Sequence, residues 1–460
     1  MGEKRKDQYR KYLKEDPRMY QAAAQVKIAE QDPGMLAVSH VFAPALGSFV
    51  MWVLENAVKS GKKRLYFLAR DGWFMYRAAL VICGALQLPL ECRYLNCSRY
   101  SLRIPIYHLD REEALDFICR RGIGVTPDRI LQRAGLSGRE RKEVLKRLGL
   151  PFANDEVVPF CSLPMIRKRL SRCEEFLEAV DYRSKKALPA LIGYFRQEGL
   201  LEEKEDAVVD SGWVGSMQRT LNEILLYMGR KRRMEGYYWG LYDLPPDVLQ
   251  REYHWYYFGP GKGLWEKAHF NNCIFEAVFS APCGMTIGYE KEKDVYAARF
   301  GSIREEVRRF RQENERCLME YVSLYAMEIK KTGYCKADMI RERNVVRQLL
   351  SAFMGQPSRQ EAKIFGALPF SEDMVEGGEQ PVALPMKNED LGRFHLPKRL
   401  LTMLGLRKGN AKESAWYEGS VIQSNHHVKY HLAQHRIYLY IRFLGNQYRF
   451  WKKRQKGGRS

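Results

Sequence analysis

Two stretches of this chain put an acid, glycines and hydroxyls where a strand should end. In Arg64-Leu-Tyr-Phe-Leu-Ala-Arg-Asp-Gly-Trp73, Leu65 to Leu68 reads as a buried strand. Arg70 and Asp71 break it, Gly72 permits a tight backbone, and Trp73 to Gly84 carries apolar residues at helical spacing. Asp206 to Leu221 repeats this grammar, with Asp210 at the strand end and Ser211, Gly212, Gly215 and Ser216 in the turn. In open α/β sheets ligands bind at the carboxyl ends of strands, where loops and helix N-termini offer amides to anions. Asp210 is suited to accept hydrogen bonds from sugar hydroxyls. The amides from Gly212 to Met217, with the Ser216 hydroxyl, are suited to cradle a phosphate against the helix dipole. Competing readings are a plain βα turn with a surface ion pair for the first stretch, and an N-capping serine with turn glycines for the second.

Other residues could join this chemistry. Leu90 to Cys97 reads as a second strand ending in Ser98-Arg99-Tyr100-Ser101, where a guanidinium suits a pyrophosphate bidentately. Arg103 is a lesser candidate. Glu276 lies on an apolar helical stretch, where a carboxylate is costly unless paired, so it is a candidate ligand or base, or half of a helix salt bridge. His427, His431 and His435 recur at four-residue spacing beside His426, but no acid or cysteine nearby completes a zinc set, and no metal site is expected there.

The run LYFLARDGWFMYRAALVICGALQLPLECRYLNCSR, residues 65–99, resembles the strand, pyrophosphate loop, helix and second strand that open the type I phosphoribosyltransferase fold. AVVDSGWVGSMQRTL, residues 207–221, resembles the phosphoribosyl pyrophosphate loop of that fold. With their FLARDG and SR elements, the two runs also resemble a module of bacterial surface-polysaccharide clusters. That module often follows a haloacid dehalogenase-type phosphatase in one polypeptide and is commonly labelled a predicted hydrolase. The resemblance covers roughly Gly34 to Asp110 and Asp206 to Tyr289.

It implies a glycosyltransferase passing ribose 5-phosphate from phosphoribosyl pyrophosphate, or another sugar phosphate donor, to a hydroxyl of a lipid-linked glycan. Arg70, Asp71, Gly72, Ser98 and Arg99 would hold pyrophosphate and Mg²⁺, and Asp210, Ser211, Gly212, Gly215 and Ser216 the ribose and its phosphate. Glu276 is a further candidate contact. Asp71 is base towards the acceptor or binds metal through water. A partner phosphatase would remove the phosphate left behind. The chain departs from the phosphoribosyltransferase pattern where Ser211 replaces a second acid and Gly215-Ser216 replaces Thr-Gly. A dehalogenase-type phosphatase is the alternative, yet Ala69 stands where its first carboxylate belongs, which leaves no aspartyl-phosphate.

Composition sets bounds on these readings. An apolar share of 45 % over 460 residues suits a globular protein with two or more cores, and a formal charge of +21 suits phosphorylated ligands or an anionic surface. Ten cysteines without a CxxC pair suit a reducing cytoplasm. The start of the chain is charged and helical, not a signal peptide. Met35 to Leu54 is uncharged but broken by Ser39, His40, Pro44, Gly47 and Ser48, and reads as a buried helix.

The expected fold is α/β, with a mostly parallel sheet of phosphoribosyltransferase-like type, a helical insertion and a helical C-terminal region. Expected units are an N-terminal helical arm (1–33), the first part of the α/β domain (34–110), a helical insertion or cap (111–203), the second part (204–300), a helical and loop-rich region (301–418) and a basic aromatic tail (419–460). Glu290 to Leu350 reads as charged helix, with Arg304, Arg308, Arg309 and Arg311 on a solvated face. Beyond Glu418 the tail has no acid, and it interleaves Lys429, Arg436, Arg442, Arg449, Lys452, Lys453, Arg454, Lys456 and Arg459 with aromatics. Such a helix suits the inner face of an anionic membrane. Packing on its own domain and a nucleic-acid patch are the alternatives for the tail, nucleic acid not being the expected partner, and a non-enzymatic membrane- or nucleic-acid-binding scaffold that uses this tail is the further alternative to an enzyme.

Overall fold

The first strand (β1, Arg64–Leu68) is buried along its whole length. A strand covered on both faces needs no polar alternation, which is why its apolar run is continuous. The computed structural model describes residues 2–29, 32–122, 124–370, 379–403 and 414–457. Along the chain come a core helix (α1, Ala43–Lys59), then β1, a crossover helix (α2, Gly72–Leu86) and the second strand (β2, Glu91–Leu95). A long helix (α3, Glu174–Gln197) closes the insertion, followed by β3 (Asp206–Trp213), α4 (Ser216–Tyr227), β4 (Glu235–Leu241) and β5 (Tyr253–Phe258). After α5 (Asn272–Phe279) come a hairpin (β6, Thr286–Glu292; β7, Val295–Phe300), two long helices (α6, Glu305–Thr332; α7, Lys336–Gly355) and the C-terminal helix (α8, Val428–Gly457).

Five parallel strands form one sheet in the order β2-β1-β3-β4-β5. The expected α/β fold, its parallel sheet and its helical regions are therefore present. Strand side chains alternate between the two faces. Leu65, Phe67, Val209, Tyr237 and Trp239 enter the large core with α1, α2, α6 and α7, while Tyr66, Leu68 and Val208 meet α3 and α4 on the other side. The apolar segment Pro33–Lys59 is the one described helix long and apolar enough to cross a membrane, but 94 % of its most apolar window is buried inside the protein. It is the central helix of the core.

Because β1 has β2 on one side and β3 on the other, the chain changes direction there. The carboxyl ends of β1 and β3 flank the crevice where open α/β sheets bind their ligands. The opposite edge is tied by charge. Arg64, fully buried, donates to Glu91 (2.7 Å), Glu202 (2.8 Å) and the Gly199 carbonyl, and Arg230 is paired with Asp206 at the start of β3.

The insertion has a hydrophobic cluster of its own between Tyr107 and Val180, after which the second half of α3 lies on the sheet through Leu188, Leu191, Tyr194 and Phe195. The N-terminal helices are joined to the body, with the Tyr9 hydroxyl donating to Glu361 (2.6 Å) and Arg18 paired with Asp338 (2.7 Å). One expectation is corrected. The charged run after Glu290 opens as the β6–β7 hairpin, which turns at Lys293 with φ 55°, and helix begins only at Glu305.

Candidate active site

Asp71 lies between β1 and α2, at the crevice. A Cβ on Gly72 would stand 3.1 Å from the Phe67 carbonyl carbon, so the tight start of α2 against β1 calls for glycine. The Ala69–Arg70 peptide is cis, and the Arg70 carbonyl accepts from the Ala281 amide.

β3 brings the second acid. Asp210 and Ser211 are 9 % and 4 % exposed, and beyond them the backbone turns left-handed at Gly212 (φ 108°), Trp213 (φ 66°) and Gly215 (φ 70°). The Ser211 hydroxyl donates to Asp71 Oδ2 at 2.7 Å, joining two loops 140 residues apart. The Trp213 indole N–H donates to Glu276 on α5. A Cβ on Gly212 would meet the Gly240 carbonyl oxygen at 2.5 Å. Gly212→Ala is expected to cost roughly 2–3 kcal/mol through overpacking and an unfavourable φ, read as a lowered unfolding midpoint in urea; an unchanged midpoint would mean the turn relaxes freely.

Three carboxyl groups thus share a poorly hydrated place. Burial, then the charge of Asp71, pushes Asp210 up to about 7. Burial, then the same charge, pushes Glu276 up to about 8, against the pull of Arg99, Trp213 and Arg70. Asp71 is itself raised by burial, while the Ser211 hydrogen bond and the charges of Arg70, Arg311 and Arg99 hold it down. Carboxyls poised near neutrality are suited to pass protons.

Arg311 comes from α6, which corrects the solvated-face expectation. Arg304, Arg308 and Arg309 are at the surface and pair with Glu379 or Glu305, whereas Arg311 is 4 % exposed and donates to the Ala281 carbonyl at 2.9 Å. Its Nε has no partner among the described residues, and both amide atoms of buried Asn314, one turn on, lack one too. Burial, then the charge of Arg70, lowers Arg311 to about 10. Val307, Arg311, Asn314 and Leu318 recur at the spacing of one helix face, the signal that marks Arg311 as inward. Trp213 and Arg311 are the residues that sequence reasoning missed.

The other expected residues divide. Arg99 is exposed at the start of a short helix and acts electrostatically on all three acids. Ser98 caps that helix, accepting from the Ser101 amide, and donates to the Thr286 carbonyl at 2.6 Å, so its hydroxyl is engaged in holding the hairpin. Arg103 pairs with Glu113 at 2.9 Å, and Glu223 lies 3.9 Å away. Ser216 is the first residue of α4, whose N-cap is Gly215 with no side-chain cap, so the N-capping alternative for Ser216 is not what the fold uses. Among the described residues no three His, Cys, Asp or Glu side chains converge as a metal set. His431 and His435 are on the inner face of α8, where His431 takes a hydrogen bond from His395 and donates to Asn388, and His427 precedes the helix. A surface hollow of about 740 Å³ lies against α2 and β2 among Trp73, Tyr76, Tyr94 and Arg93, and none of the three acids lines it.

Fold and site together define a class: an α/β protein with acids and arginines gathered at the switch point of a parallel sheet. Compared with known proteins, the chain matches no family model and no curated protein.

Proposed function

We propose that this protein is a glycosyltransferase of phosphoribosyltransferase type, acting on a bacterial surface glycan. The observation that supports it best is the Ser211–Asp71 hydrogen bond, which closes the two loops into one site. In the reaction the bond from the anomeric carbon to pyrophosphate breaks and a bond to an acceptor hydroxyl forms. The acceptor proton passes to Asp71 or Asp210, whichever is ionised, and the pyrophosphate leaves with the electron pair. Arg70, Arg99 and Arg311 suit the anionic leaving group, and the uncapped α4 start suits the 5-phosphate.

Asp71 and Asp210 fit a magnesium ion of the kind held by one or two carboxylates and otherwise by substrate phosphates. Such an ion would neutralise the pyrophosphate. Ala69 argues against the phosphatase alternative, since no carboxylate stands there to accept a phosphoryl group. The phosphorylated product calls for a separate phosphatase, and a lipid-linked acceptor for work at the cytoplasmic face of the membrane.

Titration calorimetry with phosphoribosyl pyrophosphate and Mg²⁺ tests the reading. Saturable binding is expected, weakened by at least about tenfold in Asp71→Asn and Asp210→Asn proteins that circular dichroism shows to be folded. A folded wild type that takes up no donor overturns it.

A further inference from the structure

The C-terminal helix α8 has two faces of different kind. Inward, His431, His435 and Phe443 are buried, Phe443 stacks on Tyr242 with ring centres 5.5 Å apart, and Arg436 donates to the Ala268 carbonyl. Outward, Tyr430, Ile437, Ile441, Leu444 and Tyr448 are each 49–67 % exposed, and Trp451, 60 % exposed, stands at the margin of this face with its indole nitrogen beside Gly261. Their spacing of seven, four, three, four and three puts them in one stripe, an arc of about 80° on a helix roughly 45 Å long.

Charge identifies what that stripe fits. Lys429, Arg442, Arg449 and Lys452 are exposed beside it, and the sequence from Gly419 to its end contains no acid. Side chains from Lys453 onward, and Arg459 with them, lie outside the described residues. A second copy packed on the stripe would bring cations against cations. A nucleic acid would find Ile437, Ile441 and Leu444 at its centre, side chains that neither stack on bases nor contact phosphates. An anionic bilayer satisfies both parts, taking the stripe among its acyl chains and the cations at its headgroups.

The helix also stands at the right edge. Tyr242 directly follows β4, and a Cβ on Gly261, just past β5, would meet Phe450 and Trp451 at 2.6 and 2.7 Å. These are carboxyl ends of strands, the edge that carries Asp71 and Asp210. We propose that the outward face of α8 is a membrane-docking surface that lays this edge of the sheet beside an anionic lipid bilayer.

Vesicle flotation of the full chain tests this without any donor, so its outcome is separable from that of the ribosyl-transfer reading. Expected is at least about tenfold more protein floating with vesicles containing roughly 30 % phosphatidylserine than with phosphatidylcholine alone, reduced at about 0.5 M salt. Ile441→Asp with Leu444→Asp should lower flotation by at least about tenfold while leaving the melting temperature unchanged, since both side chains are exposed. Arg442→Gln with Arg449→Gln should lower it for anionic vesicles only. A wild type that does not float, or an aspartate variant that floats equally well, overturns the proposal. So does light scattering that shows a dimer split by the aspartate variant in protein that never floats, which would make the stripe a self-interface.

Discussion

Asparagine in place of Asp210 is expected to raise the melting temperature, and to raise it more at about pH 8 than at about pH 5. Burial and the neighbouring Asp71 shift this carboxyl from about 3.8 up to about 7 in the folded protein. Between those values the native state holds a proton that the unfolded chain has released. Stability therefore falls as pH rises through that window, and the loss is complete above it. Linkage sets a ceiling of roughly 4 kcal/mol on the loss. That ceiling already includes the amides of Ser211 and Gly212, which favour the carboxylate; asparagine accepts from them more weakly, leaving a net gain of roughly 1–2 kcal/mol for the neutral variant. The same change removes a group from the reacting centre, so stability and donor binding should move in opposite directions. Thermal melts of both proteins at the two pH values decide the matter. If wild type and variant decline in parallel, Asp210 does not titrate in this range and its proposed role in proton transfer goes with it.

Arg230→Met is expected to have the largest effect on stability. Arg230 and Asp206 are 1 % and 0 % exposed at the side chain, and both guanidinium amino groups reach the carboxylate. Desolvation raises Asp206 even with that partner in place. Without it the carboxylate is left uncompensated in the protein interior, at a cost of about 3–5 kcal/mol near neutral pH. The folded-state pKa would rise further, so the cost should shrink as pH falls towards the ordinary Asp range and the group is protonated. Adding Asp206→Leu should recover most of the loss, because an apolar pair asks for no charge compensation. Urea unfolding of the single and double variants measures both, and a double variant as weak as the single one would show that Arg230 acts through packing or its bond to the Leu200 carbonyl instead.

Much of this arrangement is written locally. A buried strand followed by a broken, glycine-containing turn and a helical period needs no distant information, and so β1, β3, the helices after them and the acids between them were legible. Glu276 stands out in the sequence because an acid on an apolar helix face requires an explanation, which the Trp213 indole supplies. Arg311 was hidden by neighbours of its own kind. Three arginines around it are at the surface, and only the phase of Val307, Asn314 and Leu318 separates it from them. The hairpin was hidden likewise, because Glu290-Lys-Glu-Lys-Asp294 has the composition of a solvated helix while its partner strand and left-handed turn are tertiary facts. The place of Ser98 at a strand end is legible, but nothing local shows that its hydroxyl donates to the Thr286 carbonyl.

The strand order bears on how the molecule comes into being. β1 is made before β3, and its register partner Asp206 faces Arg64 across the whole insertion, so one edge of β1 stays uncovered until the insertion has been made. The helical segment between Tyr107 and Val180 can gather its own apolar cluster meanwhile, which shortens the effective loop that the β1–β3 pairing must close. Pairing at that distance is a slow step for any chain. The acids at the crevice would therefore come together last, and a protein stalled before that step would expose a bare apolar strand edge to its neighbours.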